Sequence, residues 1–137
     1  MSRLKIKSIA VDYDNTLVFS NPELYPYYEP KDVNHQAFSV LKEYKKRGGI
    51  IILFTCRTDE HLQIAIDACK KRGLEFDAIN CDTSKAIKDW REKFPRSSVS
   101  PKPYVELFID DRAWPCHKRG LDWTCIAHDI LEEEEDE

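Results

Sequence analysis

Several protein classes are excluded by what this 137-residue sequence lacks. It has no apolar run near the roughly 20 residues that a membrane-spanning helix needs. Its opening, MSRLKIKSIAVDYD, has no apolar stretch of signal-peptide length. The five cysteines (Cys56, Cys69, Cys81, Cys116 and Cys125) are odd in number and form no CxxC pair, which argues against a disulfide framework or a zinc site. Cys116 and His117 are adjacent, but no second ligand pair accompanies them. Excess positive charge is also missing. The net charge is −4 and the pI about 5.6, so no dedicated nucleic-acid-binding surface is expected. Together these absences describe a reduced, cytoplasmic protein with no membrane partner.

What is present is a regular alternation. Residues 4–11 (LKIKSIAV) alternate and then become fully apolar, and 50–54 (IIILF) is a continuous β-branched run; both predict buried strands. Shorter strands are expected at 76–80, 105–109 and 124–127. Between the first two, Ala37, Val40, Leu41 and Tyr44 recur at helical spacing before Gly48-Gly49. Leu62, Ala65, Ile66 and Cys69 predict a second helix, with Asp59 and Glu60 in its first turn. A third is expected over 84–94, with Ile87, Trp90 and Phe94 on one face. The stretch 110–123 reads as a loop with at most a short helical turn, given Pro115 and Gly120. Strands alternating with helices predict an α/β fold: a three-layer, doubly wound (Rossmann-like) sandwich around a mainly parallel five-stranded sheet. One domain is expected over 1–130, followed by an acidic, disordered tail at 131–137.

In such a sheet, ligands bind beyond the carboxyl ends of the strands. Asp12, Asp14 and Thr16 follow the first strand, Thr55, Cys56 and Arg57 the second, and Asp110, Asp111 and Arg112 the fourth. Taken singly, each has an ordinary structural reading as a turn former or helix cap. Taken together, they gather carboxylates at one sheet edge, which repel unless a cation sits among them. A hard, oxygen-liganded ion such as Mg²⁺ suits that cluster.

The same residues resemble the haloacid dehalogenase-like superfamily of phosphatases, over about residues 5–127. Its hydrophobic strand followed by DxDxT is matched by IAVDYDNTL at 9–17, and its strand ending in Thr or Ser by IILFTCR at 51–57. Its strand ending in two acids is matched by LFIDDRA at 107–113, and its upstream lysine by Lys102. The run KPYVELFIDDRA resembles the small capless members of bacteria and phages.

The resemblance implies a Mg²⁺-dependent phosphomonoester hydrolase. Asp12 would be the nucleophile that forms an aspartyl-phosphate, and Asp14 the general acid and base. Mg²⁺ would be held by Asp12, the backbone carbonyl of Asp14, Asp110 and Asp111. Thr55 and backbone amides near Asn15 and Cys56 would contact the phosphoryl group, and Lys102 would offset developing charge. Lys85 and Lys88 compete with Lys102 for that place. Arg57 is read either as a substrate contact or as the partner of an acid, and Arg112 as structural. An acid at position 14 points to phosphate chemistry and away from carbon–halogen cleavage.

About seventeen residues (18–34) follow the first motif and about 24 separate the third and fourth strands, too few for a cap domain. The site is expected to be open, unless a second copy in a homo-oligomer covers it. An open site suits a large or extended substrate, such as a nucleic-acid end or a phosphoprotein, and does not forbid a nucleotide, a sugar phosphate or another phosphorylated molecule. Tyr25, Tyr27 and Tyr28 either stack a base or sugar or pack their loop onto the core. Two rival readings are a receiver domain, in which the phosphorylated aspartate follows the third strand, and a non-catalytic phosphate- or metal-binding protein that keeps the fold.

Overall fold

The computed structural model of the protein describes residues 3–28 and 30–135. Four parallel strands form its sheet: β1 (Ser8–Val11), β2 (Ile50–Leu53), β3 (Ala78–Ile79) and β4 (Leu107–Ile109), in the order β3-β2-β1-β4. β1 lies centrally, with Ile9 opposite both Ile51 and Leu107. The connection from β2 to β3 continues outward from β1, whereas that from β3 to β4 crosses back to the other side of β1. The order therefore reverses between β1 and β4, which is where an open α/β sheet forms its ligand crevice.

The helices are α1 (His35–Lys46), α2 (Asp59–Lys71), α3 (Ser84–Lys93), α4 (Cys116–Arg119) and α5 (Trp123–Ile130). α1 is capped by Asn34, whose side chain accepts from the Ala37 amide at 3.1 Å, and it buries Ala37, Phe38, Val40, Leu41 and Tyr44. Those are the helical-spaced residues of the sequence together with Phe38. The core lies on one face of the sheet. There Ile9, Val11, Ile51, Leu53 and Ile109 meet side chains of α1, α2 and α5, and α5 packs on α1. Strand alternation sends Ala10, Ile52 and Phe108 to the opposite face. Ala10 and Ile52 are buried there, and Phe54 meets Phe108 edge-on at 5.9 Å.

The sheet has four strands, not five. Residues 124–127, expected as the fifth strand, lie inside α5. Asp122 decides this locally, because its Oδ1 accepts from the amides of Thr124 (3.0 Å) and Cys125 (3.1 Å) and so starts a helix. Trp123 and Ile130 are then buried, with Ile126 and Ala127 partly buried between them, a helical stripe where a strand would alternate.

α3 forms where expected, but its apolar face does not enter the core. The helix buries no residue, and Trp90 and Phe94 stay 45% and 39% exposed, packed on each other at 4.6 Å.

The acidic segment expected to be disordered from residue 131 is tied down at its start. Lys5 N donates to Glu132 O and Glu134 N to Arg3 O, and the Lys5 ammonium pairs with the Glu132 carboxylate at 2.9 Å. Basic residues near the N-terminus thus offset part of the like-charge run. Residues 136 and 137 lie outside the described residues.

All five cysteines are free. Among the described residues, no helix is long and apolar enough to cross a membrane.

Candidate functional site

Asp12 is placed by the ladder itself: its amide donates to Ile109 O at 3.0 Å, extending the β1–β4 pairing by one residue. Its side chain therefore emerges at the reversal point of the strand order. Asp110 and Asp111 emerge beside it from β4, and carboxylate oxygens of the three residues lie within 4.8 Å of one another. Thr16 stitches the two loops together. Its buried hydroxyl donates to Asp12 Oδ2 at 3.2 Å and accepts from the Asp111 amide at 3.2 Å.

This crowding has an electrostatic signature. Burial, then the Asp110 charge and a hydrogen bond with Asp111, push the Asp12 pKa up to about 7. The ionised trio is costly as it stands, and a cation held among the three carboxylates would relieve the repulsion. Three monodentate carboxylates at this spacing fit a hard divalent ion.

Asp14 occupies the same cleft but turns its carboxylate to other partners. Arg57 donates Nε to Oδ2 and Nη2 to Oδ1, each at 2.8 Å, and Ser20 Oγ donates to Oδ1 at 2.6 Å. Burial raises the Asp14 pKa, but the bonds from Arg57 and Ser20 and the Arg57 charge outweigh it, so the pKa is lowered. Arg57 is itself only 3% exposed, and its Nη1 donates to Pro26 O (3.0 Å) and His61 O (3.2 Å). Its guanidinium also faces the rings of Tyr13 and Tyr25 at 4.9 and 5.0 Å. Of the two sequence readings for Arg57, the acid partner is the one seen.

The remaining residues build the cleft walls. Asn15 has φ +62°, a left-handed turn that Asn tolerates well, and its Oδ1 accepts from the Ser20 amide at 3.0 Å. Thr55 follows β2; its amide donates to Asn80 Oδ1 at 2.8 Å, and its hydroxyl accepts from the Arg57 amide at 3.2 Å. A cleft of about 480 Å³ is lined by Asp12, Asp14, Asn15, Thr55, Cys56, Arg57, Asp110 and Asp111, together with Ser20, Asn21, Pro22, Tyr25 and Arg112.

The three candidate lysines do not line that cleft. Lys102 rests on the Phe108 ring at 5.0 Å, two residues before Asp110. Lys85 pairs with Asp89 on the exposed side of α3, and Lys88 lines a separate hollow with Arg91 and Glu92. The cations at the cleft are Arg57, committed to Asp14, and Arg112, read from sequence as structural. The Arg112 amide donates to Asp110 Oδ1 at 2.8 Å, and its exposed side chain has no hydrogen bond or ion pair among the described residues.

The three tyrosines separate by role. Tyr28 packs edge-on against buried Tyr13 at 6.0 Å and, with Tyr27, lines a different hollow beside α2, and of the three only Tyr25 lines the cleft. Ser20, Asn80 and the cleft-facing role of Arg112 were missed by sequence reasoning. No local pattern marks them, because their importance arises from loops that meet only in the fold.

No family model and no curated protein matches this chain. Among solved structures, a conserved protein of Bacteroides thetaiotaomicron is similar, with 32% identity and a TM-score of 0.72 over 93% of this chain and 91% of that one. At that identity and coverage, the chain belongs to the same family as the Bacteroides thetaiotaomicron conserved protein.

Proposed function

We propose that this protein is a Mg²⁺-dependent phosphomonoester hydrolase of the haloacid dehalogenase-like kind, with Asp12 as its nucleophile. The observation that carries this reading is the convergence of Asp12, Asp110 and Asp111 within 4.8 Å at the point where strand order reverses. Asp12, Asp110 and Asp111 would hold the ion, joined by the backbone carbonyl of Asp14. When bound, Mg²⁺ supplies the positive charge that lets an anionic nucleophile approach an anionic phosphoryl group.

The chain's own residues would then act in order. Asp12 Oδ attacks phosphorus and the ester P–O bond breaks, leaving the phosphoryl group on Asp12. Asp14 gives a proton to the departing alkoxide and later takes one from water, which attacks phosphorus and breaks the Asp12–phosphorus bond. Thr55, with amides near Asn15 and Cys56, donates to the phosphoryl oxygens, and Lys102 swings from Phe108 to offset charge. Asp14 rests ionised on Arg57, a state ready for the second proton transfer. Before the first, it must take up a proton against Arg57.

That same ion pair favours a second reading, a non-catalytic phosphate- or metal-binding protein in which Asp14 serves only as a strut. Incubation with Mg²⁺ and p-nitrophenyl phosphate separates the two. The enzyme reading expects Mg²⁺-dependent turnover that Asp12→Asn abolishes. Binding of Mg²⁺ without turnover would favour the second.

A further inference from the structure

We infer that Asn80 is a positioning residue: its side chain holds Thr55 so that the Thr55 hydroxyl offers its proton to a phosphoryl group in the carboxylate cleft. This deepens the proposed reading and rests on it for the phosphoryl contact at Thr55.

The sheet register shows what the Asn80 side chain replaces. β3 pairs Ile79 with Leu53, so continuing the ladder sets Asn80 opposite Phe54. In a parallel ladder a residue donates to the carbonyl before its partner and accepts from the amide after it. Asn80 makes the first bond in the ordinary way, its amide donating to Leu53 O at 2.7 Å. Its side chain makes the second, with Thr55 N donating to Asn80 Oδ1 at 2.8 Å. The backbone at Asn80 takes a left-handed turn (φ +55°) and leaves the ladder, and the side-chain oxygen stands where the main-chain carbonyl would have been. Asparagine suits both tasks, since it tolerates that turn and carries an amide acceptor. The end of β2 is thus held on both sides, because Phe54 N donates to Val11 O at 2.8 Å.

This clamp decides what Thr55 can offer. Its amide is engaged by Asn80, and its hydroxyl oxygen accepts from the Arg57 amide at 3.2 Å. A hydroxyl has a single proton, and among the described residues no group accepts it. Thr55 lines the cleft with Asp12, Asp110 and Asp111, where an anionic phosphoryl oxygen is the acceptor that fits. A hydroxyl already fixed at its backbone and at its oxygen makes that bond with little further ordering.

The test reads phosphate binding and so does not depend on turnover. Inorganic phosphate is titrated calorimetrically, with Mg²⁺ present, into wild type, Asn80→Gly, Thr55→Val and the double variant. Glycine keeps the left-handed turn and removes the acceptor. Asn80→Gly should weaken phosphate binding about tenfold, and so should Thr55→Val. In the Thr55→Val background, Asn80→Gly should add less than about twofold, because it acts through that hydroxyl. The affinity for Mg²⁺ alone, set by carboxylates after β1 and β4, should change less than about twofold in Asn80→Gly. Additive losses, an unchanged phosphate affinity in Asn80→Gly, no phosphate binding by wild type, or an equal loss of Mg²⁺ affinity would each overturn the inference. Failure of the hydrolase reading would instead appear as phosphate binding without turnover of p-nitrophenyl phosphate by the wild type.

Discussion

The buried guanidinium of Arg57 holds the carboxylate of Asp14 through two parallel hydrogen bonds of 2.8 Å, across 43 residues of sequence. It joins the loop after β1 to the loop after β2 and, through Pro26 O, to the segment that carries Tyr25. Arg57 thus fixes the acid and the cleft wall at once.

Removing it should be costly. Arg57→Ala leaves a partly buried carboxylate unpaired and is expected to destabilise the fold by about 2–3 kcal/mol, allowing for the solvent that Asp14 retains. Arg57→Lys should recover only part of this, because an ammonium cannot reproduce the two-pronged contact. The Asp14 pKa is lowered in the folded state, so its contribution is present above its ordinary value near 3.8 and fades as pH falls through the folded value. Chemical denaturation of wild type and Asp14→Asn at pH 7 and pH 3 should show the gap between them narrowing in acid.

Asp12 should behave in the opposite sense. Its pKa is raised from 3.8 to about 7, so the folded state binds the extra proton, and metal-free stability should fall as pH rises across that interval. Asp12→Asn should remove this decline and, without metal, melt higher than wild type at pH 8, by on the order of 1–2 kcal/mol after solvent screening. Added Mg²⁺ should stabilise the wild type more at pH 8 than at pH 6, since the ion requires the deprotonated carboxylate. Melting curves at the two pH values, with and without Mg²⁺, check all three statements.

The cations should divide between binding and rate. Arg112 lines the cleft, and its side chain makes no hydrogen bond or ion pair among the described residues, so Arg112→Ala should raise KM about tenfold and leave kcat nearly unchanged. Lys102→Ala should lower kcat at least about tenfold. Lys85→Ala and Lys88→Ala should do neither, because both residues lie on α3 away from the cleft. Steady-state kinetics on one substrate separates these outcomes.

Gly49 has a packing reason to be glycine. A Cβ there would collide with the Tyr44 ring, whose hydroxyl bonds Ile6 O at 2.9 Å in the core. Gly49→Ala should therefore destabilise by about 1–3 kcal/mol through overpacking, as measured by the denaturation midpoint.

Much of the site was legible because strand ends are local signals. An apolar run that stops at Asp12, Thr55 or Asp110 marks both the strand and the residue delivered to its end. Pairings between distant loops were not legible. Nothing in the sequence joins Arg57 to Asp14, or Thr16 to Asp111 across 95 residues. Side-chain direction was equally hidden: Tyr25 faces the cleft, whereas Tyr27 and Tyr28, its near neighbours in sequence, line another hollow, with Tyr28 also against buried Tyr13. α5 escaped because Thr124, Cys125 and Ile126 suit a strand, while the single cap at Asp122 turned the segment into a helix. The apolar spacing of α3 identified the helix correctly but said nothing about whether that face would be covered.

Phosphoryl trapping tests the central claim most directly. Protein mixed with Mg²⁺ and a phosphate-labelled monoester, then quenched in acid within the first turnovers, should carry label that peptide mapping places on Asp12, and Asp12→Asn protein should carry none. Label on another residue, or hydrolysis that persists in Asp12→Asn, would contradict the account.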